Sequence, residues 1–265
     1  MKKKSFLLIK TLLKTILAKF NLKLVNNKQY YDELKKSISS FDLEFLKTCK
    51  NENLKKLFDC FEDSKSQLRQ DLFVINELNF KKKGFFCEFG ACDGIELSNS
   101  YLLEKKFNWQ GIICEPAKFY KKKIKENRKC NIEFKCVSDV EGEQIDFNET
   151  KDKYFSTINK YSKVDLHDKE RKNGKIYKVE TISLNNLLLK YNCPNNFDYL
   201  SIDTEGSEYK IISSLDFNTY SPKIITIEHN YNVEKRNKIF EFLKSKGYLR
   251  VNEKISIFDD WYIKS

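Results

Sequence analysis

From residue 84 onward, short apolar runs alternate with stretches of helical periodicity, and this alternation restricts the fold more than any other feature of the chain. Runs at 84–89, 111–115, 132–137, 198–203, 223–228, 248–252 and 257–263 read as strands. Stretches near 97–106, 117–127, 183–191, 207–215 and 233–246 read as helices. Such a rhythm builds an α/β fold with a mostly parallel sheet covered by helices. No helix separates the last two strands, so they are expected as an antiparallel edge hairpin. Residues 140–180 break the rhythm, and their polar, charged composition reads as an insertion near the site.

Parallel sheets bind ligands beyond the carboxyl ends of their strands, so the residues that close each strand carry the functional signal. The first is Gly84-Phe-Phe-Cys-Glu-Phe-Gly-Ala-Cys-Asp-Gly94, an apolar strand running through Glu88 into a glycine-bearing loop with Gly90, Ala91, Asp93 and Gly94. The next helix is expected to open at Leu97. Gly90 lets the backbone approach a ligand, and Gly94 permits a turn that a side chain would obstruct. Glu88 is expected to meet an ammonium group, directly or through water. Glu115, 21 residues past Gly94, ends the second strand just before Pro116. Its carboxylate suits two hydrogen bonds from ribose hydroxyls. Cys136-Val137-Ser138-Asp139 closes the third strand, where an adenine edge is expected.

Asp203-Thr-Glu-Gly-Ser-Glu208 closes a later strand. Carboxylates this dense are costly unless solvated, paired or bound to a cation. Asp203 is expected to face the transferred group and the acceptor, and Glu208 to favour the N-terminus of the following helix. Glu228-His229-Asn230 closes the next strand. His229, one of only two histidines, is a general-base candidate alongside Asp203; a structural histidine is the alternative. Asp203 and Glu228, on adjacent strand ends, are candidate oxygen ligands for a divalent cation.

Acids at successive strand ends suit a ligand with a cationic centre, an amine and a ribose, which S-adenosylmethionine combines. The G-x-G-x-x-G fingerprint is absent, and an acid stands where a pyrophosphate would need bare N–H groups. Both facts count against a nicotinamide or flavin oxidoreductase.

Taken in order, Glu88-Phe-Gly-Ala-Cys-Asp-Gly94, Leu97-Ser-Asn-Ser-Tyr-Leu-Leu-Glu104, Trp109-x-Gly-Ile-Ile-Cys-Glu-Pro116 and Asp198-Tyr-Leu-Ser-Ile-Asp-Thr-Glu-Gly-Ser-Glu208 resemble the FkbM family of S-adenosylmethionine-dependent methyltransferases. Gln70-Asp-Leu-Phe-Val74 and Glu228-His-Asn230 also look like that family, so the resemblance covers residues 64–264. It implies a Rossmann-like class I methyltransferase fold and methyl transfer, commonly to a hydroxyl oxygen of a sugar or natural product. By position it carries over Glu88, Gly90, Asp93, Glu115 and Asp203, and places Ser98 and Asn99 on the cofactor's carboxylate side. The family is broad in acceptor. The abundance of lysine, asparagine and phenylalanine suggests an AT-rich bacterial genome, which makes a surface polysaccharide or its nucleotide-sugar precursor the expected acceptor. A phosphate-type oxygen, a nitrogen, a lipid-linked saccharide, and a non-catalytic S-adenosylmethionine-binding protein are the alternatives. A sugar hydroxyl needs a base as it attacks, which His229 or Asp203 would supply. Tyr154, Phe155 and His167 in the insertion are candidate acceptor contacts.

Residues 1–80 are expected as an N-terminal helical extension and 81–265 as the catalytic domain; residues 1–63 carry no motif of the family. Seven of the net +11 charges are lysines within residues 1–24, which leaves +4 for the rest of the chain. No basic stripe of the kind nucleic acid requires follows from that distribution. Residues 1–24 form a basic amphipathic pattern too short and too charged to span a bilayer. It reads either as a helix packed on the domain or on a second copy of the chain, or as one lying on an anionic membrane surface. Eight cysteines without a C-x-x-C pair argue against zinc and for a reducing cytoplasm; the protein is expected there, with peripheral contact at the inner membrane face as the variant.

Overall fold

The computed structural model describes residues 40–151, 155–162 and 168–265. Residues 1–39 of the expected helical extension, with the amphipathic pattern at 1–24, and the acceptor contacts assigned to Tyr154 and His167, lie outside the described residues. The chain divides into compact units at 1–47 and 48–265. Residues 40–47 of the first unit belong to a helix, Ser40–Thr48.

The second unit is built on eleven strands: β1 (Phe85–Phe89), β2 (Gln110–Cys114), β3 (Asn131–Glu133), β4 (Cys136–Ser138), β5 (Gln144–Glu149), β6 (Thr157–Ile158), β7 (Lys175–Ser183), β8 (Tyr199–Ile202), β9 (Ile224–Glu228), β10 (Tyr248–Val251) and β11 (Asp259–Lys264). Seven of them form one sheet in the order β10-β11-β9-β8-β1-β2-β3. Its pairings are parallel from β3 through β9, while β11 runs antiparallel to both β9 and β10. This is the α/β layout with an antiparallel edge that the alternation predicts. β8 and β9 are buried at every position, because helices cover both faces of a parallel sheet. Cys87, Phe89, Ile112, Leu200, Ile202, Ile225 and Ile227 of the sheet pack with Leu184, Leu187, Leu188, Ile211, Ile212, Ile239 and Leu243 of the helices. Each such buried side chain contributes about 1.5–3 kcal/mol of transfer free energy.

Helix starts follow their caps. Ser183 Oγ accepts the Asn186 N–H ahead of Leu184–Lys190, and Asn232 Oδ1 accepts the Lys235 N–H ahead of Val233–Ser245. The helix expected from Leu97 begins instead at Tyr101. Leu97 has φ +60° and bridges to Ser66, while Ser98 and Ser100 turn their hydroxyls inward to Glu88. Within the expected helical extension a helix begins at Gln70, because Ser64 Oγ donates to Asp71 Oδ1 and Ser66 Oγ accepts the Asp71 N–H, which holds 64–69 as a loop.

Two expectations need larger correction. The strand expected at 132–137 is two strands in different sheets: β3 ends the large sheet, and β4 opens a second sheet ordered β4-β7-β5-β6. Residues 140–180 therefore supply strands β5, β6 and β7, with Phe147 opposite both Tyr177 and Ile158, rather than a plain polar insertion. The second compact unit spans residues 48–265. Residues 48–80 are tied into the sheet, with Gln70 Nε2 donating to Asp259 Oδ2 at 2.7 Å.

None of the eight cysteines is in a disulfide. Among the described residues, no helix is long and apolar enough to cross a membrane.

Candidate active site

β1 lies centrally, with β2 on one side and β8 on the other. The chain moves outward to β2 and β3 and later returns to β8, so the crevice between the ends of β1 and β8 is the switch point of the sheet. A cavity of about 410 Å³ opens there, within the usual range for small-molecule sites. The loop after β1 gives it Gly90, Cys92, Leu97 and Asn99; β2 leads to Glu115, β8 to Asp203 and Glu205, and β9 to Glu228 and Asn230. Aromatic side chains of Phe155, Tyr231 and Phe258 also line it, with Gln67 and Gln70 from the segment before β1.

Gly90 sets the floor. Its φ is +84°, and a Cβ there would stand 1.9 Å from the carbonyl oxygen of Asp203. Only glycine lets these two strand ends close on each other.

Glu88, expected to meet an ammonium group, faces the protein interior instead. It is 2 % exposed. Its Oε2 accepts the Ser98 and Ser100 hydroxyls, and its Oε1 accepts the Asn99 N–H at 2.6 Å. The buried Arg128 guanidinium stands 3.7 Å from Glu88 and donates to Gly94 O, Ser98 Oγ, Ser100 Oγ and Glu104 Oε2. This network holds the 94–100 turn from below. Asp93 also serves the turn: Oδ1 accepts the Ile95 and Glu96 N–H groups. Ala91, Asp93, Gly94 and Ser98 support the cavity wall without lining it.

Asn99 is held between the network and the sheet, with Nδ2 donating to Ser201 Oγ at 3.0 Å. Its Oδ1 is buried without a hydrogen-bond partner.

Glu115 accepts the Cys92 N–H on Oε2 at 2.9 Å and the Ala117 N–H on Oε1 at 2.8 Å. Burial raises its pKa to about 7, despite those two bonds. Each oxygen retains a lone pair for a further donor. Beside it, a slot of about 50 Å³ includes Pro116, Val137, Phe147 and Ile158. Ser138 lies outside both spaces, its hydroxyl donating to Asp139 Oδ1.

Asp203, Glu205 and Glu228 converge, each with a carboxylate oxygen within 4.8 Å of the others. Burial, then the negative charge of the neighbouring acids, raises the pKa of Asp203 and of Glu228 well above the ordinary carboxylate range. Glu228 Oε2 is buried without a hydrogen-bond partner. Glu205 is anchored by the buried Arg171, whose Nη2 donates to its Oε2 at 2.8 Å. Glu208 stands apart: its Oε1 accepts the Thr204 and Gly206 N–H groups, and Lys235 Nζ donates to its Oε2 at 2.8 Å.

His229, the expected base, does not line the cavity. Its Nδ1 accepts the Tyr231 N–H at 3.1 Å, and its Nε2 lies 4.0 Å from Asp260. Burial, with Arg236 and Lys235 also acting downward, lowers its pKa to about 4. The ring is 2 % exposed and neutral at physiological pH.

Sequence reasoning missed Arg128, Arg171, Cys92, Gln67 and Phe258. Arginines distant in sequence give no local signal. Gln67 precedes a motif that the resemblance did include.

By sequence, the methyltransferase FkbM domain matches residues 88–250. No curated protein matches the chain. Among solved structures, the chain is similar to an FkbM methyltransferase from Methylobacillus flagellatus, at 9 % identity and TM-score 0.48, over 84 % of this chain and 57 % of that one. It is similar to a putative caffeoyl-CoA O-methyltransferase from Staphylococcus aureus, at 15 % identity and TM-score 0.42, over 90 % of this chain and 99 % of that one. An O-methyltransferase from Bacillus cereus in complex with S-adenosylhomocysteine gives 11 % identity and TM-score 0.39, over 82 % and 91 % of the two chains. With the matched domain covering more than half of its length, the chain belongs to the FkbM family of S-adenosylmethionine-dependent methyltransferases.

Proposed function

We propose that the protein transfers a methyl group from S-adenosylmethionine to a hydroxyl oxygen of a sugar or glycan. The observation that carries this reading is the cavity at the switch point, where buried acceptor oxygens of Asn99 and Glu228 lack donors and three carboxylates converge. Buried acceptors without partners are costly, and a ligand rich in hydroxyl and ammonium donors would relieve them. Aromatic faces together with carboxylates also suit a sugar, which is apolar on its ring faces and polar at its edge.

When bound, S-adenosylmethionine supplies a methyl carbon activated by its sulfonium. Glu115 would accept hydrogen bonds from the ribose hydroxyls, and the slot at Pro116 and Val137 would take the edge of the adenine. Asn99 Oδ1 would accept from the amino group. Asp203 lines the cavity beside Gly90, and in this reading its carboxylate holds the acceptor hydroxyl and takes the proton as the oxygen attacks. Alignment of the two reactants supplies most of the rest of the acceleration. His229, turned away from the cavity, positions the Tyr231 backbone instead.

Incubation of the full chain with methyl-labelled donor and a panel of bacterial glycans and nucleotide sugars tests the reading. A gain of one CH₂ on a sugar hydroxyl, lost in Asp203→Asn, is the expected result. Methylation confined to nitrogen or phosphate oxygen would overturn the sugar assignment.

A further inference from the structure

Asp203, Glu205 and Glu228 reach one point from the ends of two adjacent strands, with their nearest oxygens all within 4.8 Å. Like charges gathered this closely repel strongly in a partly buried site. Lys235 offsets that repulsion only in part, since burial and the neighbouring acids still hold Asp203 and Glu228 well above the usual carboxylate range. Arg171 Nη2 reaches Glu205 Oε2 at 2.8 Å, and Lys235 Nζ reaches Glu208 Oε2 at 2.8 Å; neither bond goes to Asp203 or Glu228.

An observation separate from the clustering points to a ligand. Glu228 is only 7 % exposed, yet it lines the cavity with an Oε2 that has no hydrogen-bond partner. Hard divalent cations take oxygen ligands at about 2.1 Å for magnesium, so neighbouring ligand oxygens end roughly 3 Å apart and opposite ones roughly 4 Å apart. The spread of up to 4.8 Å is wider than either separation, so the three side chains draw together when an ion binds. The Arg171 bond keeps Glu205 aimed at the other two acids.

We propose that Asp203, Glu205 and Glu228 bind one magnesium or manganese ion, and that this ion holds hydroxyl oxygens of the acceptor. Three protein oxygens leave coordination positions for water or substrate. Two adjacent hydroxyls of one sugar ring fill two of those positions, so the substrate class selected is a vicinal diol. The role toward the acceptor rests on the methyl-transfer reading, whereas ion binding itself does not.

Calorimetric titration of manganese chloride into the full chain tests the site, with the electron spin resonance signal of free manganese as a second readout. One ion is expected to bind. Glu205→Gln and Glu228→Gln should each weaken it roughly tenfold or more, while Glu234→Gln on the exposed face of the Val233–Ser245 helix leaves it unchanged. S-adenosylhomocysteine is titrated into the same samples, so that retained binding shows the variants are folded. Absence of manganese binding at millimolar concentration, or binding indifferent to both substitutions, overturns the proposal. Manganese binding without S-adenosylhomocysteine binding would count against the donor assignment alone; the reverse would count against the ion alone.

Discussion

Glu115 holds the backbone N–H of Cys92 at 2.9 Å, so the acid that ends one strand fixes the loop that leaves its neighbour. The same carboxylate accepts the Ala117 N–H at 2.8 Å and faces the cavity. One side chain thus joins fold to binding site, and its charge state governs both.

Burial raises the Glu115 pKa from 4.5 to about 7. A group whose folded pKa is raised adds stability below its unfolded value, and that stability is lost as pH rises through the folded value. The ligand-free protein should therefore lose thermal stability between about pH 5 and pH 8. Affinity for S-adenosylhomocysteine should move the other way and rise through pH 7, because the ribose hydroxyls donate to the ionised form. Melting curves and calorimetry across this range check both signs; Glu115→Gln should flatten the affinity profile and remove only its own share of the stability profile, since burial also raises Asp259 to about 7.

Gly90→Ala would place a methyl group 1.9 Å from the Asp203 carbonyl at a φ of +84°. Strain and clash together should destabilise the fold by about 2–4 kcal/mol and abolish ligand binding. Urea unfolding and an S-adenosylhomocysteine titration read the two effects separately. Normal behaviour in both would contradict the close approach of β1 and β8.

Glu88→Gln should act on stability first. The side chain touches no cavity surface but joins Ser98, Asn99, Ser100 and Arg128. Removing one charge from a buried network costs about 3–5 kcal/mol. The expected sign is a clear fall in unfolding midpoint, with weakened ligand binding following from the loosened 94–100 turn. An unchanged midpoint with lost binding would return Glu88 to the ligand.

His229→Gln should keep turnover within a few-fold of the parent, since the ring faces away from the cavity. Asp203→Asn should lower turnover by about 10²–10⁴-fold while retaining S-adenosylhomocysteine. A large loss in the histidine variant and a small one in the aspartate variant would exchange the two roles.

The main sheet was legible because burial on both faces writes β8 and β9 as mostly apolar runs, interrupted only by Ser201, Thr226 and the strand-end Glu228. The second sheet was less so. β7 alternates over Lys175–Ser183 with one face exposed, a period-two signal that charged residues obscure, and β3 and β4 read as one alternating stretch, Ile132-Glu-Phe-Lys-Cys-Val137, with no turn residue between them. At the site, Gly90, Glu115, Asp203 and Glu228 were found from strand-end position and Asn99 from the family resemblance, and the structure brings them around one cavity. Glu88 and His229 occupy equivalent positions but point elsewhere. Strand-end spacing says which residues arrive at the crevice; the direction of each side chain depends on partners such as Arg128 and the Tyr231 N–H, which lie outside the local pattern.

The most direct measurement is calorimetric titration of the full chain with S-adenosylhomocysteine, run beside Glu115→Ala. Saturable binding of one molecule per chain, lost in that variant while its circular dichroism spectrum stays intact, is the predicted result. Absence of heat with the folded parent protein, or equal affinity in the variant, would contradict the assignment of this crevice to the methyl donor.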